Sequence, residues 1–317
     1  MRGETILILG GTGALGKTLT KRYHKENNII IFSRDEHKQV EMKRLYPNLQ
    51  YHIGNVKEKD SILQSINEYK PSIIINTAAL KHVPICENNP YESVKTNIIG
   101  HKNLIDSVSL SNHQVKTLMF ISTDKACSPI NVYGMCKAIS ERLYIDFANK
   151  QKNIKVVLCR YGNVLESTGS VIPLFKSILK QGTDHLPITH PEMTRFLLSL
   201  EDAVNLIQWA YDHKNSHGKI VIPNIKALKV IDIAKALIKN FNSLQPQTLK
   251  NVGIRPGEKL HEAMISLEES IRTEKYDKYF MITDKILHNQ PWVFDSSNSL
   301  MKPSETEEFL KNKGILR

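Results

Sequence analysis

The chain has 317 residues, 41% of them hydrophobic, so it can bury a full core in one large or two modest domains. Its formal net charge is +11, but the lysines are scattered and no arginine-rich run is present, which argues against nucleic-acid binding. Its apolar runs are far shorter than the roughly 20 residues of a membrane span, and the N-terminus lacks the apolar stretch of a signal peptide, so we expect a cytoplasmic protein.

Apolar runs alternate with amphipathic stretches in the first half, a pattern typical of a parallel α/β sheet. The predicted strands are 5–9, 29–32, 49–52, 73–76, 117–122 and 155–160. The predicted helices are 16–24, 60–69, 97–109 and 133–148. This is the doubly wound Rossmann pattern, with right-handed crossovers.

After Gly162 the pattern becomes irregular. A strand at 220–222 is predicted to return to the sheet, while 230–240 and 260–265 suggest a smaller α/β region. The sequence SETE at 304–307 fits a capping box and predicts a final helix from about residue 305. We therefore predict a Rossmann domain at 1–165 with a return segment around 197–225. The substrate-binding region is predicted to comprise residues 166–196 and 226–317.

The cysteines are isolated in the sequence, with no CxxC pair and no histidine at metal-ligand spacing. We therefore expect reduced, partly buried thiols and no metal site. Cys127 and Cys136 flank the predicted catalytic region and are expected to line a pocket without reacting.

A glycine-rich loop follows the first predicted strand and opens a helix. Gly10, Gly13 and Gly16 let the backbone approach a pyrophosphate, and the amides at the helix N-terminus are the donors. The strand before the loop, the helix after it and a second strand at the right distance together predict a dinucleotide site. The spacing of three between glycines resembles extended short-chain dehydrogenases/reductases more than GxGxxG dehydrogenases.

The second predicted strand ends at Ser33 and Arg34, which are followed by Asp35, Glu36 and Lys38. An NAD enzyme places an acid here against the ribose 2′-hydroxyl, whereas a guanidinium can bind a 2′-phosphate through two hydrogen bonds. Arg34 therefore favours NADP. Two alternatives stay open, because Asp35 could swing toward the ribose and Arg34 could be a solvated loop cation.

The fifth predicted strand runs into the motif STDKA at 122–126, and Tyr133 and Lys137 follow on one face of the next helix. A nearby ammonium and a positive nicotinamide are expected to lower the tyrosine pKa, so that it accepts a proton near neutrality. Simple carbonyl reductases do not need Asp124 and Lys125. This extra pair indicates a second proton transfer, as in elimination of water between neighbouring carbons. The alternative is a turn-forming aspartate and an exposed lysine.

These residues resemble the inverting UDP-N-acetylglucosamine 4,6-dehydratases of the short-chain dehydrogenase/reductase superfamily. The resemblance covers nearly the whole chain, and several motifs are long and specific. The matching motifs are GGTGALG (10–16), FSRDE (32–36), AALKHVPICENNP (78–90), KTN (95–97), STDKA (122–126), YGMCK (133–137), RYGNV (160–164), MTRF (193–196) and GIRPGEKLHE (253–262).

The resemblance implies an NADP that stays bound and is regenerated in each cycle. Tyr133 would deprotonate the sugar 4-hydroxyl as hydride leaves carbon 4 for the nicotinamide. Lys125 would take the proton from carbon 5, and Asp124 would protonate the departing 6-hydroxyl before the hydride returns at carbon 6. Burial beside nicotinamide and Lys137 is expected to lower the Lys125 pKa, with Asp124 acting against this.

Retaining relatives carry glutamate at the position of Lys125. Lysine there implies reprotonation from the opposite face and an L-configured product, UDP-2-acetamido-2,6-dideoxy-β-L-arabino-hex-4-ulose, for glycan biosynthesis. A homo-oligomer, either a dimer or a hexamer, is also expected, with neither nucleic acid nor membrane as a partner.

The resemblance also implies which residues form the site. The catalytic residues would be Thr123, Asp124, Lys125, Tyr133 and Lys137. The NADP-binding residues would be Gly10, Thr12, Gly13, Ala14, Leu15, Gly16, Ser33, Arg34, Asp35, Glu36, Lys38, Asn55, Val56, Ala78, Lys81, Tyr133, Lys137 and Val164. The UDP-sugar would be bound by Lys81, Asn163, Thr168, Arg195, Arg255 and Glu258. The arginines suit the diphosphate and nucleotide, because a planar guanidinium pairs well with oxyanions.

Two positions depart from the family pattern. Asn55 stands where aspartate toward adenine is usual, and its amide oxygen can still accept from the adenine amino group. Thr77 stands where alanine is usual, which affects only packing against the cofactor. A neighbouring subgroup has methionine in place of the tyrosine, and Tyr133 argues against it.

Two rival functions remain at this stage. A UDP-hexose 4-epimerase shares the fold, the tyrosine and the lysine, but would not need Asp124 and Lys125. A non-catalytic NADP-sensing protein can keep the glycine loop without Tyr133 and Lys137, whose presence counts against that reading.

Overall fold

A computed structural model describes residues 1–165, 169–241 and 248–316 of the chain. In these ranges the strands are β1 Thr5–Leu9, β2 Asn28–Ser33, β3 Gln50–Ile53, β4 Ile73–Asn76, β5 Thr117–Ile121, β6 Lys155–Cys159, β7 Asn163–Val164, β8 His185–Ile188, β9 Thr194–Leu198, β10 Lys219–Pro223, β11 Ala227–Lys229, β12 Thr248–Asn251, β13 Ala263–Ile265, β14 Thr273–Lys275, β15 Tyr279–Ile282 and β16 Phe294–Asp295. The helices are α1 Ala14–Tyr23, α2 Glu36–Leu45, α3 Lys59–Tyr69, α4 Val83–Asn88, α5 Pro90–Val94, α6 Gly100–Leu110, α7 Val132–Lys150, α8 Val171–Lys180, α9 Leu200–Asp212, α10 Val230–Asn240, α11 Leu267–Ser270 and α12 Pro303–Asn312. Within the described residues, no helix is both long and apolar enough to span a bilayer.

The central sheet has the strand order β14-β15-β10-β6-β5-β4-β1-β2-β3 in the described residues. Strands β1 to β6 and β10 pair in parallel, and β15 and β14 extend the edge antiparallel. The predicted Rossmann sheet is therefore confirmed. The strand predicted at 220–222 does return to it, as β10 beside β6.

Both faces of the sheet are covered, because successive side chains of each strand point to opposite sides. Leu7 and Leu9 of β1 pack in one core cluster with α3, α6 and α7. Ile6 and Ile8 of β1 pack in a second cluster with α1, α2 and α9. A third cluster gathers α8, α10, α12 and β8 into the smaller region. The sheet thus holds β1 and β4 rigidly beside each other, which positions the loops at their carboxyl ends.

The last helix corrects one prediction. It begins at Pro303, two residues before the predicted start at 305, and its N-cap residue is Lys302. The Glu305 carboxylate accepts from the Lys302 amide at 2.7 Å, so the capping acid lies three residues after Lys302 and the SETE sequence does not form the box. Proline suits the first helical position because its missing amide hydrogen would have no partner there.

The four cysteines agree with the sequence expectation. Cys86, Cys127, Cys136 and Cys159 are all free and buried. Burial raises the pKa of each thiol, so each is held in its neutral form.

Candidate active site

The glycine loop lies where the strand order reverses, between β1 and β4. Gly10 follows β1 with a φ of 76°. A Cβ on Gly10 would sit 2.8 Å from both the Ala78 amide nitrogen and the Thr77 hydroxyl oxygen, which follow β4. The Thr77 hydroxyl donates to the Leu9 carbonyl at 2.8 Å, so this residue joins the two strand ends. Doubly wound sheets bind ligands in the crevice at such a switch point.

The N-terminus of α1 is open to an anion. Its N-cap residue is Gly13, no side chain caps it, and its first turn contains no acidic residue. A Cβ on Gly16 would overlap the Gly11 carbonyl, so glycine is required for the tight turn into the helix. Free amides and the helix dipole favour a phosphate here. The loop therefore fits the pyrophosphate of a dinucleotide.

Arg34 and Asp35, which follow β2, differ in their contacts. Asp35 caps α2 by accepting from the Lys38 amide at 3.0 Å, and its carboxylate also pairs with the Lys38 ammonium at 2.8 Å. These contacts lower the Asp35 pKa and hold the carboxylate away from other partners. Arg34 is exposed and makes no hydrogen bond or ion pair with any residue that the structure describes. Swinging Asp35 toward a ribose would break both contacts, so the structure disfavours that alternative.

Other predicted cofactor residues lie around the same crevice. The Ser33 carbonyl and hydroxyl both accept from the buried Gln39 amide at 3.0 Å. The Asn55 side-chain oxygen accepts from the Lys57 amide at 3.1 Å, so the oxygen expected to face adenine already takes part in a local turn. Lys81 is exposed and has no hydrogen bond or ion pair among residues 1–165, 169–241 and 248–316.

The predicted catalytic motif forms a buried turn after β5, the catalytic turn (residues 123–126). Thr123 caps a short 3₁₀ turn at Asp124–Ala126, and its hydroxyl donates to the Asp124 carboxylate at 3.0 Å. A Cβ on Gly134 of α7 would overlap the Lys125 carbonyl, so the helix packs directly on the turn. Asp124 has no exposed side-chain surface and Lys125 only 16%. This excludes a turn aspartate with an exposed lysine.

Lys125 is held by three side-chain oxygens. Its Nζ lies 3.1 Å from Asp124 Oδ1, 3.1 Å from Asn163 Oδ1 and 3.2 Å from Glu262 Oε1. Burial acts to lower the Lys125 pKa, but the two carboxylates outweigh it and raise the pKa above its usual value. The expected lowering of the Lys125 pKa is therefore wrong for the protein alone, without nicotinamide. The second carboxylate, Glu262, was not anticipated.

Asp124 shows the opposite tendency to an ordinary paired carboxylate. Burial raises its pKa, the Glu262 charge adds to this, and Lys125 acts against both. Its Oδ2 has no hydrogen-bond partner among the described residues. A carboxyl group whose pKa is raised in this way is better suited to donate a proton than an ordinary carboxylate.

Tyr133 and Lys137 are both buried on α7, with 8% and 2% of their surfaces exposed. The Lys137 ammonium donates to the Ile121 carbonyl at 2.8 Å and lies 4.5 Å from the centroid of the Phe120 ring. Burial lowers the Lys137 pKa to about 7. Burial raises the Tyr133 pKa, although Lys125 and Thr123 act to lower it. The expected lowering of the tyrosine pKa is therefore not a property of the protein alone.

The predicted substrate residues are not brought together in one cluster. Asn163 of β7 contacts Lys125, whereas the Arg195 guanidinium donates to the backbone carbonyls of Thr194, Lys259 and Leu260 at 2.7, 3.0 and 3.2 Å. Arg195 is 8% exposed and already donates to these carbonyls, which disfavours its predicted direct contact with the diphosphate, although its charge still acts on Lys125 and Glu262.

The two remaining substrate residues pair with each other. The Arg255 guanidinium contacts Glu258 Oε1 at 2.7 and 3.1 Å, with 61% of the arginine side chain exposed. Thr168 lies outside the described residues.

The segment 253–262 packs against the catalytic turn. The Asn131 amide donates to the Gly257 carbonyl at 2.8 Å, and the Lys259 ammonium donates to the Cys127 carbonyl at 2.8 Å. Glu262 ends this segment and reaches Lys125. Segment 253–262 therefore brings one carboxylate into the site that the catalytic motif itself does not contain.

A family model described as polysaccharide biosynthesis protein matches residues 6–284. The chain belongs to this family. It is 42% identical over 290 residues to a UDP-N-acetylglucosamine 4,6-dehydratase (inverting) of Campylobacter jejuni, covering 89% of this chain and 84% of that relative. It is also 39% identical over 289 residues to a UDP-glucose 4-epimerase of Rickettsia rickettsii, covering 88% and 82%.

Solved structures of other proteins share this fold. The X-ray structure of Pen from Bacillus thuringiensis aligns with a TM-score of 0.90 and 28% identity, covering 100% of this chain and 99% of that chain. The crystal structure of DesIV, a dTDP-glucose 4,6-dehydratase from Streptomyces venezuelae, aligns with a TM-score of 0.69 and 18% identity over 81% and 86% of the two chains. The second likeness shows the fold alone.

In this family member a buried ion-pair network supports the catalytic turn. The fully buried Arg160 contacts Glu141 of α7 at 2.6 and 2.9 Å and Glu269 of α11 at 2.7 and 2.8 Å. Ser122 donates to Glu141 at 2.6 Å, which ties the end of β5 to the helix that carries Tyr133. The RYGNV motif contains Arg160, but the family resemblance implied no role for this residue. Its partners are 19 and 109 residues away, which a single sequence does not reveal.

The buried lysine gives a stability prediction. The Lys137 pKa is about 7 in the folded protein against an ordinary 10.5, so unfolding takes up a proton between these values. Burial of Lys137 destabilises the folded protein most below pH 7, and this destabilisation decreases as the pH rises toward 10.5. The free energy of unfolding of wild type, relative to Lys137→Met, should therefore rise by about 1.4 kcal/mol per pH unit between about pH 7.5 and 9.5. Denaturant titrations at several pH values measure this, and a difference that does not vary with pH would contradict it.

Proposed function

We propose that the protein is a 4,6-dehydratase that acts on UDP-N-acetylglucosamine and inverts carbon 5. The observation that carries this proposal is the buried Asp124–Lys125 pair beside Tyr133. Asp124 has no exposed surface and contacts Lys125 at 3.1 Å. Buried charges are costly, so their presence next to a predicted catalytic tyrosine favours a chemical role.

The roles that we propose are those implied by the family resemblance, and the geometry of the turn supports them. Tyr133 takes the proton of the sugar 4-hydroxyl, and a bound nicotinamide supplies the acceptor and later the donor of hydride. Once the Lys125 amine is neutral, this amine takes the proton from carbon 5. Asp124, whose burial raises its pKa, gives its proton to the departing 6-hydroxyl, which leaves as water. The hydride would return from the bound nicotinamide to carbon 6, and a solvent-derived proton added to carbon 5 from the opposite face would complete the inverted 4-keto-6-deoxy sugar.

The second candidate is a UDP-sugar 4-epimerase, because relatives of 39% identity carry that name. Epimerisation at carbon 4 uses the tyrosine, its lysine and the nicotinamide. It has no proton transfer at carbon 5 and no departing hydroxyl. The buried turn would then contain an acid and an amine without a reaction step, which is why we favour the dehydratase.

The cofactor that we propose is NADP. Arg34 supports this choice, because it is free of partners among the described residues while Asp35 is held by Lys38. A guanidinium in this position favours a 2′-phosphate.

Reversing the charge at residue 34 tests the cofactor. Arg34→Glu should lower the affinity for NADP relative to NAD by about tenfold or more, because a carboxylate would repel the 2′-phosphate. Apo protein titrated with each nucleotide and followed by tryptophan fluorescence or calorimetry measures the ratio. Arg44→Glu, in the last turn of α2, is the matched control and should keep it. An unchanged ratio in Arg34→Glu would refute the role of Arg34.

For the UDP-sugar, we propose that Asn163 and Lys81 lie nearest the sugar and diphosphate. Arg255 and Glu258 would bind the nucleotide after their mutual pair opens. Arg195 would act indirectly, by fixing residues 259–260. The division into a cofactor domain at 1–165 and a substrate region stays a proposal, as do the homo-oligomer and the cytoplasmic location. The role of Thr168 also stays a prediction.

A product assay tests the proposed function. Purified protein incubated with UDP-N-acetylglucosamine and no added cofactor should release a product lighter by one water, since the cofactor returns unchanged in each cycle. Mass spectrometry distinguishes this from a 4-epimer, whose mass equals that of the substrate. A product of unchanged mass would favour the epimerase.

A further inference from the structure

Glu262 is a buried carboxylate that is firmly anchored through its backbone. It directly precedes β13, and 2% of its surface is exposed. Its amide donates to the Ser296 hydroxyl at 2.9 Å, and its carbonyl accepts from the Ser296 amide at 2.8 Å. The side chain is therefore carried by a fixed backbone and points into the catalytic turn.

The contacts of this carboxylate are uneven. Oε1 lies 3.2 Å from the Lys125 ammonium, whereas Oε2 lies 3.9 Å from the Lys259 ammonium. Oε2 has no hydrogen-bond partner among the described residues. Buried carboxylates usually have both oxygens hydrogen-bonded, so Glu262 is not satisfied by its surroundings.

The same protein shows how a structural carboxylate is arranged here. Glu141 and Glu269 each give both oxygens to Arg160, at distances between 2.6 and 2.9 Å. A guanidinium in this geometry stays charged and cannot act as a base. Glu262 instead contacts an amine that already touches Asp124 and Asn163. Its partner is a group that can exchange a proton.

We propose that Glu262 is a positioning residue for the elimination step: it holds the Lys125 nitrogen between Asp124 and Asn163, aimed at carbon 5 of the sugar. This inference rests on the proposed dehydratase function. A third oxygen around the nitrogen fixes it in space, because two contacts alone leave the long side chain free to rotate about the line joining them. Holding a base in place is worth a large part of its catalytic effect.

The charge of Glu262 also determines when Lys125 becomes a base. The ionisable groups that face the Lys125 nitrogen are Asp124, Glu262, Arg195 and Tyr133, with Lys259 behind Glu262. The two carboxylates stabilise the ammonium, so a neutral side chain at residue 262 should lower the Lys125 pKa. The neutral amine would then form at lower pH, although it would be less well positioned.

The test follows the step that uses Lys125. In a single turnover with UDP-N-acetylglucosamine, the absorbance of reduced nicotinamide rises on oxidation and falls after elimination, and the rate of the fall is measured against pH. Glu262→Gln should move the midpoint of this pH profile down by about one unit and lower the limiting rate about tenfold. Glu262→Asp keeps the charge at a greater distance, so its limiting rate should fall severalfold with a smaller change in midpoint.

Glu307→Gln is the matched control and should match wild type, because Glu307 of α12 pairs only with Lys239 of α10 and Lys311 of α12 among the described residues. A Glu262→Gln enzyme whose limiting rate equals that of wild type would overturn the positioning role, and an unchanged midpoint would overturn the effect of its charge on Lys125. If that variant does not fold, a Glu262→Asp enzyme with an unchanged limiting rate would overturn the positioning role. Failure of the dehydratase function itself looks different, because wild type would then give neither the transient nor a dehydrated product.

Discussion

Replacing Lys125 with methionine should stop the reaction after oxidation at carbon 4. Methionine is close to lysine in length but cannot take a proton, while Tyr133 remains able to act at the 4-hydroxyl. The bound cofactor should then stay reduced, and steady-state turnover should fall by about 1,000-fold or more, as expected when a base acting directly on carbon is lost. Stopped-flow absorbance of the nicotinamide and product analysis measure the two effects.

The Lys125→Met variant needs a check on folding, because it leaves Asp124 and Glu262 without the ammonium between them. One of the two carboxyls should then become protonated, which limits the loss of stability. Lys239→Met is the matched control, since Lys239 pairs with Glu307 at the surface and has no role in the site. A Lys125→Met enzyme that folds and still releases dehydrated product at a near-normal rate would remove Lys125 from the mechanism.

Replacing Tyr133 with phenylalanine should abolish the oxidation step itself. The phenol is the group that removes the proton of the 4-hydroxyl, and losing a general base costs on the order of 100-fold or more in turnover, or about 2.7 kcal/mol of barrier. Affinity for the substrate should be largely kept, because the proposed binding groups lie on other residues. In contrast to Lys125→Met, no reduced nicotinamide should accumulate.

Tyr144→Phe is the control for Tyr133→Phe. Tyr144 is also buried on α7, where its hydroxyl accepts from the Asn76 amide at 3.1 Å and has no contact with Thr123, Asp124 or Lys125 among the described residues. It should lose some stability and keep its turnover. A Tyr133→Phe enzyme with a near-normal rate, or one that forms reduced nicotinamide as fast as wild type, would contradict the assigned role.

Local signals predicted the strands of the first half well, but helix α2 at Glu36–Leu45 was not predicted. The bounds of β1 and β4 agree with prediction to the residue, because each is a short run of apolar residues bounded by turn signals. Helices α8 and α9 were not predicted, although α9 carries a capping box of Ser199 and Asp202. Scattered glycines and prolines in the second half of the chain suggested irregular structure. Tertiary packing nevertheless stabilises helices there.

The site was predictable where its chemistry is contained in one motif. The turn of Thr123, Asp124 and Lys125 and the pair on α7 do lie beside each other. Long-range partners were not predictable. Glu262 reaches Lys125 from 137 positions along the chain, and Arg195 uses backbone carbonyls more than sixty residues away. No pattern within a single sequence encodes such contacts, and for this reason the raised pKa of Lys125 in the protein alone was not predicted.

The most direct test of the account is the structure of the product formed in heavy water. The substrate is UDP-N-acetylglucosamine that carries a hydrogen isotope on carbon 4. It should yield a 4-keto-6-deoxy sugar with one solvent deuteron at carbon 5 and with the isotope transferred from carbon 4 to carbon 6. NMR couplings around carbon 5 of the early product should report the L-arabino configuration. A D-xylo product would refute inversion, and a 4-epimer that keeps its 6-hydroxyl would contradict the dehydratase altogether.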